Sequence, residues 1–159
     1  MSATGDPDSA MRLVHQLRRL TVDLDLFGAA FASRNGLHAT DLRALIALLD
    51  ADRAGIAATP GWLGRQLSLG SAATTALLDR LERAGHIGRT PDPGDRRRVL
   101  LQVQEHAKYL GWSFFGPLIG RMTASIGEFD EAELAAVAKF LAAMTEAVGS
   151  ADGGLDGWR

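Results

Sequence analysis

The chain has 159 residues, of which 47% are hydrophobic and 23% charged, as expected for one soluble domain with a substantial core. The absence of cysteine excludes disulfide bonds, thiolate metal ligands and sensing by cysteine oxidation. No apolar run approaches the roughly 18 to 20 residues needed to cross a bilayer, so we expect no membrane contact. The small, acidic N-terminus lacks the features of a signal peptide, which makes the cytoplasm the expected location.

The net charge of −2 is unevenly distributed along the chain. Residues 62–98 carry seven arginines against four carboxylates, a charge of +3, whereas residues 1–61 carry −1 and residues 99–159 carry −4. A basic middle between acidic ends fits a local surface that faces phosphates. Ordinary fluctuation explains these counts equally well, so charge alone does not identify a nucleic-acid partner.

The first predicted element is a long helix. Residues 1–8 form a loose tail, residues 9–33 predict the helix, and Asn35-Gly36 ends it. Apolar side chains recur along the helix at spacings of three and four, a heptad stripe suited to packing on another helix. The stripe consists of Leu13, Leu17, Leu20, Leu24, Phe27 and Phe31.

Two shorter elements and a third helix follow. Thr40 is the predicted cap of a helix over residues 41–52, and residues 56–58 predict a short strand. Thr59-Pro60 combines a capping hydroxyl with a proline at the first helical position. A short helix is therefore expected over residues 60–67.

A helix-turn-helix corner is predicted next. After a tight turn at residues 68–70, Ser71 caps a helix that runs to about Ala84 and stops at Gly85. The second helix of such a corner fits the major groove of B-DNA, with its N-terminal residues at the base edges. Its predicted inner face consists of Thr74, Leu77, Leu78 and Leu81.

The outer face of this fourth helix is small at its tip and basic further along. Methyl groups can contact thymine, hydroxyls can bond bases or phosphates, and an arginine can reach phosphate or guanine. The corner alone is weak evidence, because many helical proteins contain one. The candidate DNA contacts on and beside the helix are Arg65, Ser71, Ala72, Ala73, Thr75, Ala76 and Arg80.

Residues 86–90 and 97–103 predict a β-hairpin around a turn rich in proline, glycine and aspartate. An arginine-bearing loop can enter a minor groove beside the site of the helix, and Asp95 is expected to accept the guanidinium of Arg97. An isolated basic turn is more often only solvated, but this one directly follows a helix-turn-helix. The candidate DNA contacts of the hairpin are Asp95, Arg96, Arg97 and Arg98.

Two helices complete the prediction. The fifth starts near Gln104 and is kinked or broken at Pro117. Asp130 caps the sixth, which ends at Gly149 before a loose tail at residues 150–159. The sixth helix carries a second heptad stripe, formed by Leu134, Val137, Leu141, Met144 and Val148.

The two heptad stripes favour a dimer interface, since they flank a region that can close its own core. The alternative is an intramolecular hairpin, in which Leu17 and Leu20 pack on Leu141.

From about residue 10 to residue 149, the chain resembles the MarR family of bacterial regulators. The most specific stretches are the helix-turn-helix sequence over residues 67–87 and the motif over residues 95–99. The resemblance implies a mainly α fold with a small β-hairpin wing: a winged helix-turn-helix at residues 37–103, and an intertwined dimerisation region at residues 9–36 and 104–149. It also implies a homodimer that reads a pseudo-palindromic DNA operator, commonly as a repressor released by a small aromatic or anionic effector.

This sequence departs from the family's pattern at several positions. Ala76 stands where a basic residue is common, which weakens the expected base readout. The residues after the wing are Gln104-Glu105-His106-Ala107 in place of a Thr-x-x-Gly pattern, and Trp62 and Gly64 replace more usual polar and alanine residues. A rival hypothesis is therefore a dimer of the same fold that has lost DNA reading and acts by binding ligands or proteins.

The aromatic residues predict either an effector pocket or simple core packing. Arg19, His15 or His38 could supply the partner of an anion. The four histidines lack metal-ligand spacing, no cofactor-binding motif occurs, and no residue constellation predicts an enzyme. The candidate pocket aromatics are Trp62, Tyr109, Trp112, Phe114 and Phe115.

Overall fold

The computed structural model describes residues 7–152, and the chain divides into two compact units, Met1–Gly111 and Trp112–Arg159. Residues 1–6 and 153–159, most of the predicted tails, lie outside the described residues. The rest of those tails is helical, because the first helix begins at Pro7 and the last ends at Asp152. The elements in chain order are α1 (Pro7–Arg34), α2 (Ala39–Arg53), α3 (Pro60–Gln66), α4 (Ser71–Arg83), β1 (Ile87–Pro91), β2 (Val99–Val103), α5 (Glu105–Ile126) and α6 (Glu131–Asp152).

The core of the first unit lies between α2, α3, α4 and the hairpin. Leu63, Leu78 and Leu81 are its largest fully buried apolar side chains. Burying one such leucine stabilises the fold by about 1.5–3 kcal/mol. The predicted inner face of α4 is confirmed, since all four of its residues are buried: Thr74, Leu77, Leu78 and Leu81.

The predicted hairpin is confirmed as an antiparallel pair in which Ile87 faces Val103 and Pro91 faces Val99. Its register buries Leu101 and Val103 against the core. Residues 56–58 do not form the predicted strand. The Leu101 N–H donates to the Ala58 carbonyl over 2.8 Å, but this single bond does not extend into a strand ladder.

Two of the predicted helix caps are wrong. α2 is capped at His38 rather than Thr40, and the Asp41 carboxylate accepts the His38 backbone N–H over 2.9 Å. α4 is capped at Gly70, so Ser71 is its first helical residue. Hydroxyl residues are favoured at a helix start because they can accept an N–H, but at α2 a carboxylate in the first turn does so instead.

The cap predicted at Thr59 is confirmed, because its hydroxyl accepts the Trp62 N–H over 3.2 Å. The turn between α3 and α4 contains Ser68 in the left-handed region, at φ 52°. The Leu69 N–H then bonds the Gly64 carbonyl over 2.8 Å. The corner predicted from the sequence is therefore a tight one, held by its own backbone.

The second unit and the helix that leads into it differ from prediction in two places. Of the kink or break predicted at Pro117, the break is wrong, because α5 continues through this residue: proline removes one hydrogen bond, and the bonds on either side maintain the helix. The kink stays a prediction. α6 continues past Gly149 to Asp152. Its predicted start is confirmed, since Asp130 accepts the Glu133 N–H and the Glu133 carboxylate accepts the Asp130 N–H, each over 2.9 Å.

Both heptad stripes are largely exposed in the single chain, except at the C-terminal end of the first, where Phe27 is half-buried and Phe31 is buried. Leu20 of α1 is 50% exposed and Val148 of α6 is 70% exposed, while Leu17 and Met144 are half-buried. By length and composition alone, residues Glu131–Ala151 of α6 could cross a membrane, contrary to the expectation that no run is long and apolar enough. One helix of this kind is weak evidence for a membrane span, because apolar packing helices of soluble proteins have the same composition.

Candidate nucleic-acid interface

The outer face of α4 presents a smooth tip of small side chains. Thr75 donates its hydroxyl hydrogen to the Ser71 carbonyl over 3.0 Å, which leaves its methyl group and oxygen lone pairs outward. Directly opposite, the inner face rests on the core. The exposed residues of the tip are Ser71, Ala72, Ala73, Thr75 and Ala76, as the sequence predicts.

Arg80 does not lie free on that outer face, contrary to the sequence-based expectation. Its Nε atom lies 3.1 Å from both carboxylate oxygens of Asp41, and its Nη2 atom lies 2.5 Å from one of them. The Asp41 side chain is 2% exposed and the Arg80 side chain 41%. The pair therefore joins α4 to the first turn of α2.

The environment keeps both members of this pair charged. Burial acts to raise the pKa of Asp41, but hydrogen bonds from Arg80 and from the His38 backbone outweigh it, and the pKa is lowered. The hydrogen bond to Asp41 raises the pKa of Arg80 above its ordinary value. The ion pair thus persists across the physiological pH range.

A second ion pair joins the wing to α4. Arg89 of β1 places Nη2 2.6 Å from Asp79 and Nη1 3.4 Å from Glu82, which lie three residues apart on α4. Helical periodicity places Asp79 on the outer face but gives no role to Arg89. The available signal was the acidic i,i+3 pair on α4 followed shortly by an arginine on a strand.

The loop of the wing is closed by hydrogen bonds of its aspartates. The Gly94 N–H donates to the Asp92 carboxylate over 2.8 Å, and the Arg97 N–H donates to the Asp95 carboxylate over 3.0 Å. Asp95 thus holds the backbone of Arg97, not its guanidinium as the sequence predicted. The arginine whose guanidinium is paired is Arg98, 3.4 Å from Asp92.

Within residues 7–152, four arginines of the basic middle are exposed and make no ion pair: Arg65, Arg83, Arg96 and Arg97. Arg83 lies in the last turn of α4 and is not among the contacts predicted from the sequence. Exposed, unpaired guanidiniums are the groups that can neutralise phosphate without first breaking an internal contact.

Three of the residues predicted for the effector pocket lie on the exposed surface of the described chain. Tyr109 is 76% exposed and Trp112 is 63% exposed, and Arg19 lies on exposed α1 with Nε 4.0 Å from Asp23. Phe115 packs edge-on against Phe114, with ring centroids 5.2 Å apart.

Trp62, the remaining candidate of the pocket, lines an open groove of about 490 Å³ on α2 and α3. Arg43, Asp50 and Ile46 line the same groove, which gives it one cation and one carboxylate beside an apolar wall. Sequence reasoning identified Trp62 and missed Arg43.

Two histidines lie where the wing meets α5. The rings of His86 and His106 stack with centroids 5.5 Å apart, and the buried Nδ1 of His86 has no hydrogen-bond partner. Burial, followed by the neighbouring His106, lowers the pKa of His86, while Asp41 acts weakly against them. Among the residues that the structure describes, no cluster of three or more metal-ligating side chains is found.

Comparisons with known proteins agree with this geometry. A sequence model described as the MarR family matches residues 35–98. The chain is 35% identical over 133 residues to YcgE of Bacillus subtilis (strain 168), described as an uncharacterized HTH-type transcriptional regulator. That alignment covers 84% of this chain and 82% of the relative.

Solved structures show the same fold. A MepR mutant from a multidrug resistant S. aureus clinical isolate superposes with a TM-score of 0.69 at 16% identity, covering 86% of this chain and 96% of that one. The S. aureus MepR–DNA complex superposes with a TM-score of 0.56 at 16% identity, covering 85% and 98%. The chain therefore belongs to the MarR family of winged helix-turn-helix transcriptional regulators, which are DNA-binding proteins and not enzymes.

Proposed function

We propose that the protein is a cytoplasmic homodimer that binds a pseudo-palindromic operator as a repressor and leaves it when a small effector binds. The observation that carries the proposal is the arrangement of α4: a buried inner face, an exposed tip of small residues, and a wing beside it whose base is tied to α4 by Arg89. The MepR–DNA complex, a protein of the same fold, supports DNA as the partner.

In the proposed complex, the two recognition helices enter successive major grooves, about 34 Å apart along one turn of DNA. Small side chains let the α4 backbone approach closely, so readout depends on methyl contacts with thymine. Exposed N–H groups at the start of α4 and the side chain of Ser71 face a phosphate. Further phosphate contacts come from the unpaired Arg65 and Arg83.

The wing supplies the second part of the proposed contact. Its loop enters the minor groove, where Arg96 and Arg97 meet the negative potential with their free guanidiniums. Asp95 holds the loop backbone in place, and Arg98 lies at the edge, already paired with Asp92.

The exposed heptad stripes support the proposed dimer. A lone chain would leave these apolar faces in water, and burial of each leucine contributes about 1.5–3 kcal/mol. The interface is assigned to both stripes: Leu13, Leu17, Leu20, Leu24, Leu134, Val137, Leu141, Met144 and Val148. Sedimentation equilibrium should give a dimer for the natural chain and a monomer for Leu141→Asp.

For the effector, we propose the groove beside Trp62, since its volume suits a small molecule and Arg43 can pair with an anion. A planar aromatic carboxylate matches this lining, because Asp50, its one acidic residue, already pairs with Arg53 over 3.1 Å. We propose that the other candidates for the pocket come together only in the dimer: Tyr109, Trp112, Phe115 and Arg19.

Fluorescence anisotropy with DNA from upstream of the protein's own gene tests the DNA-binding core of the proposal. We expect binding that resists a large excess of random competitor DNA. Weak, salt-sensitive binding of all sequences alike would favour the rival hypothesis, which the alanines at positions 72, 73 and 76 motivate: a same-fold dimer that acts through ligands or proteins.

A further inference from the structure

The pair between Asp41 and Arg80 is the most deeply anchored polar contact of the recognition helix. Arg80 lies in the third turn of α4, beyond the exposed tip, and Asp41 lies in the first turn of α2. The two residues are 39 positions apart, so the contact belongs to the tertiary structure rather than to one helix.

Both oxygens of the Asp41 carboxylate accept hydrogen bonds. One carboxylate oxygen accepts the His38 N–H over 2.9 Å, and both oxygens accept hydrogen bonds from Arg80. A carboxylate that is 2% exposed has no solvent to compensate for a lost partner. Because its position is fixed by the start of α2, it fixes in turn the position of the Arg80 guanidinium.

The apolar contacts of α4 do not fix its rotation equally well. Leucine faces tolerate small rotations and shifts with little change in buried area, since apolar burial is not directional. A two-point hydrogen bond between a guanidinium fork and a carboxylate is directional. On the opposite flank, Arg89 binds Asp79 and Glu82, but those side chains are a third to a half exposed, which weakens their restraint.

We propose that Arg80 is a positioning residue rather than a phosphate contact, and that Asp41 acts through it to set the angle at which α4 meets the bases. This inference rests on the proposed function. The guanidinium of Arg80 donates from Nε and Nη2 to Asp41, so its charge is neutralised internally before DNA arrives. Selectivity for the operator, and not the general attraction to DNA, therefore depends on this pair.

The test compares operator and random DNA at several salt concentrations for Asp41→Asn, Arg80→Lys and Arg80→Ala. Asparagine can still accept the His38 N–H, and lysine keeps the charge but loses the fork. We expect all three variants to lose about tenfold in operator affinity, the cost of roughly one lost base contact. For Arg80→Lys and Arg80→Ala, binding of random DNA and the slope of log affinity against log salt should stay at the values of the natural chain.

Arg83→Ala is the matched control, because Arg83 lies on the same helix, is exposed and has no ion pair in the described part of the chain. It should weaken binding to both DNAs and reduce the salt slope by about one, as a lost phosphate contact does. Circular dichroism at the assay temperature confirms that each variant is folded before affinities are compared.

The opposite pattern overturns the inference. If Arg80→Ala reduces the salt slope by one while Arg80→Lys retains it, Arg80 is a phosphate contact. If Asp41→Asn keeps full operator preference, the pair does not position α4. A natural chain without operator preference would instead overturn the proposed function itself, which the same titrations reveal before any variant is considered.

Discussion

On the recognition helix, the guanidinium of Arg80 is bound by a buried carboxylate, whereas on the wing a carboxylate binds the backbone of Arg97 and leaves the guanidinium exposed. The two regions thus use the same residue types in opposite ways. The proposed function accounts for this difference. A helix proposed to read bases needs a fixed angle, which the bound Arg80 supplies, and a loop proposed to meet phosphates or a narrow groove needs free charge, which the exposed guanidinium of Arg97 supplies.

The largest expected effect concerns how much a side chain of each region contributes to the free energy of unfolding. One substitution replaces Leu78, which is 2% exposed on the inner face of α4, by alanine, and the other replaces Val99, which is 39% exposed on the wing, by alanine. We expect Leu78→Ala to lower the free energy of unfolding by about 2–5 kcal/mol, because it leaves a cavity in a packed core. Val99→Ala should cost less than about 1 kcal/mol. Urea denaturation measures both, and equal losses would contradict the assignment of Leu78 to the packed core and of Val99 to the exposed edge of the wing.

The next effect concerns the fit of α3 against α4. A Cβ atom at Gly64 would lie 2.8 Å from the Thr74 hydroxyl and 3.3 Å from the Leu69 carbonyl. Gly64→Ala should therefore destabilise the fold by about 1–3 kcal/mol through overpacking. Gly61→Ala on the same helix is the control, since its nearest neighbour, the Arg65 guanidinium, is 3.7 Å away. A melting temperature unchanged by Gly64→Ala would show that the corner is looser than these distances indicate.

Two of the three arginines of the wing loop, Arg97 and Arg98, sharpen the comparison at the level of DNA binding. Arg97→Ala should reduce the salt slope by about one and weaken binding to every sequence, because an unpaired charge is lost. Arg98→Ala should have a smaller effect, since Asp92 already neutralises part of its charge at 3.4 Å. Salt titrations by anisotropy measure both slopes. Equal changes for the two variants would mean that the pair with Asp92 opens on DNA.

Local sequence signals predicted most of the fold. The heptad spacing of α1, the Thr59-Pro60 start of α3 and the buried face of α4 each depend on residues a few positions apart, and all three are found. The predictions that failed depend on competition between local and distant partners. Thr40 does not cap α2 because the Asp41 carboxylate in the same first turn accepts the His38 N–H, and Arg80 leaves the outer face because it binds that same carboxylate, 39 residues away.

The same reasoning explains why some residues of the candidate nucleic-acid interface could be placed from the sequence and others could not. The small tip of α4 follows directly from helical periodicity, so its five residues could be placed from sequence. The orientation of the wing arginines could not, because an aspartate two residues away can accept either a backbone N–H or a guanidinium, and the sequence is the same in both cases. The groove beside Trp62 required knowing that Arg43 of α2 faces α3.

The smallest expected effect concerns the joint between the wing and α5, where His86 stacks on His106. Because burial lowers the pKa of His86, the unfolded chain takes up a proton there at a higher pH than the folded chain does. Stability from this group is therefore complete above about pH 6.5, the ordinary value for histidine, and is lost as the pH falls below it. The lowered pKa of Asp41 acts in a separate and more acidic range, as the pH falls from the ordinary value of a carboxyl group toward its lowered value.

His86→Gln tests this joint without changing the ion pairs of Arg80 and Arg89. Its melting temperature should fall less between pH 7.5 and pH 5.5 than that of the natural chain, because the titrating group with the lowered pKa is gone. His15→Gln, at an exposed position of α1, serves as the control and should retain the full decrease. If the two variants respond alike, the acid sensitivity arises outside the wing joint.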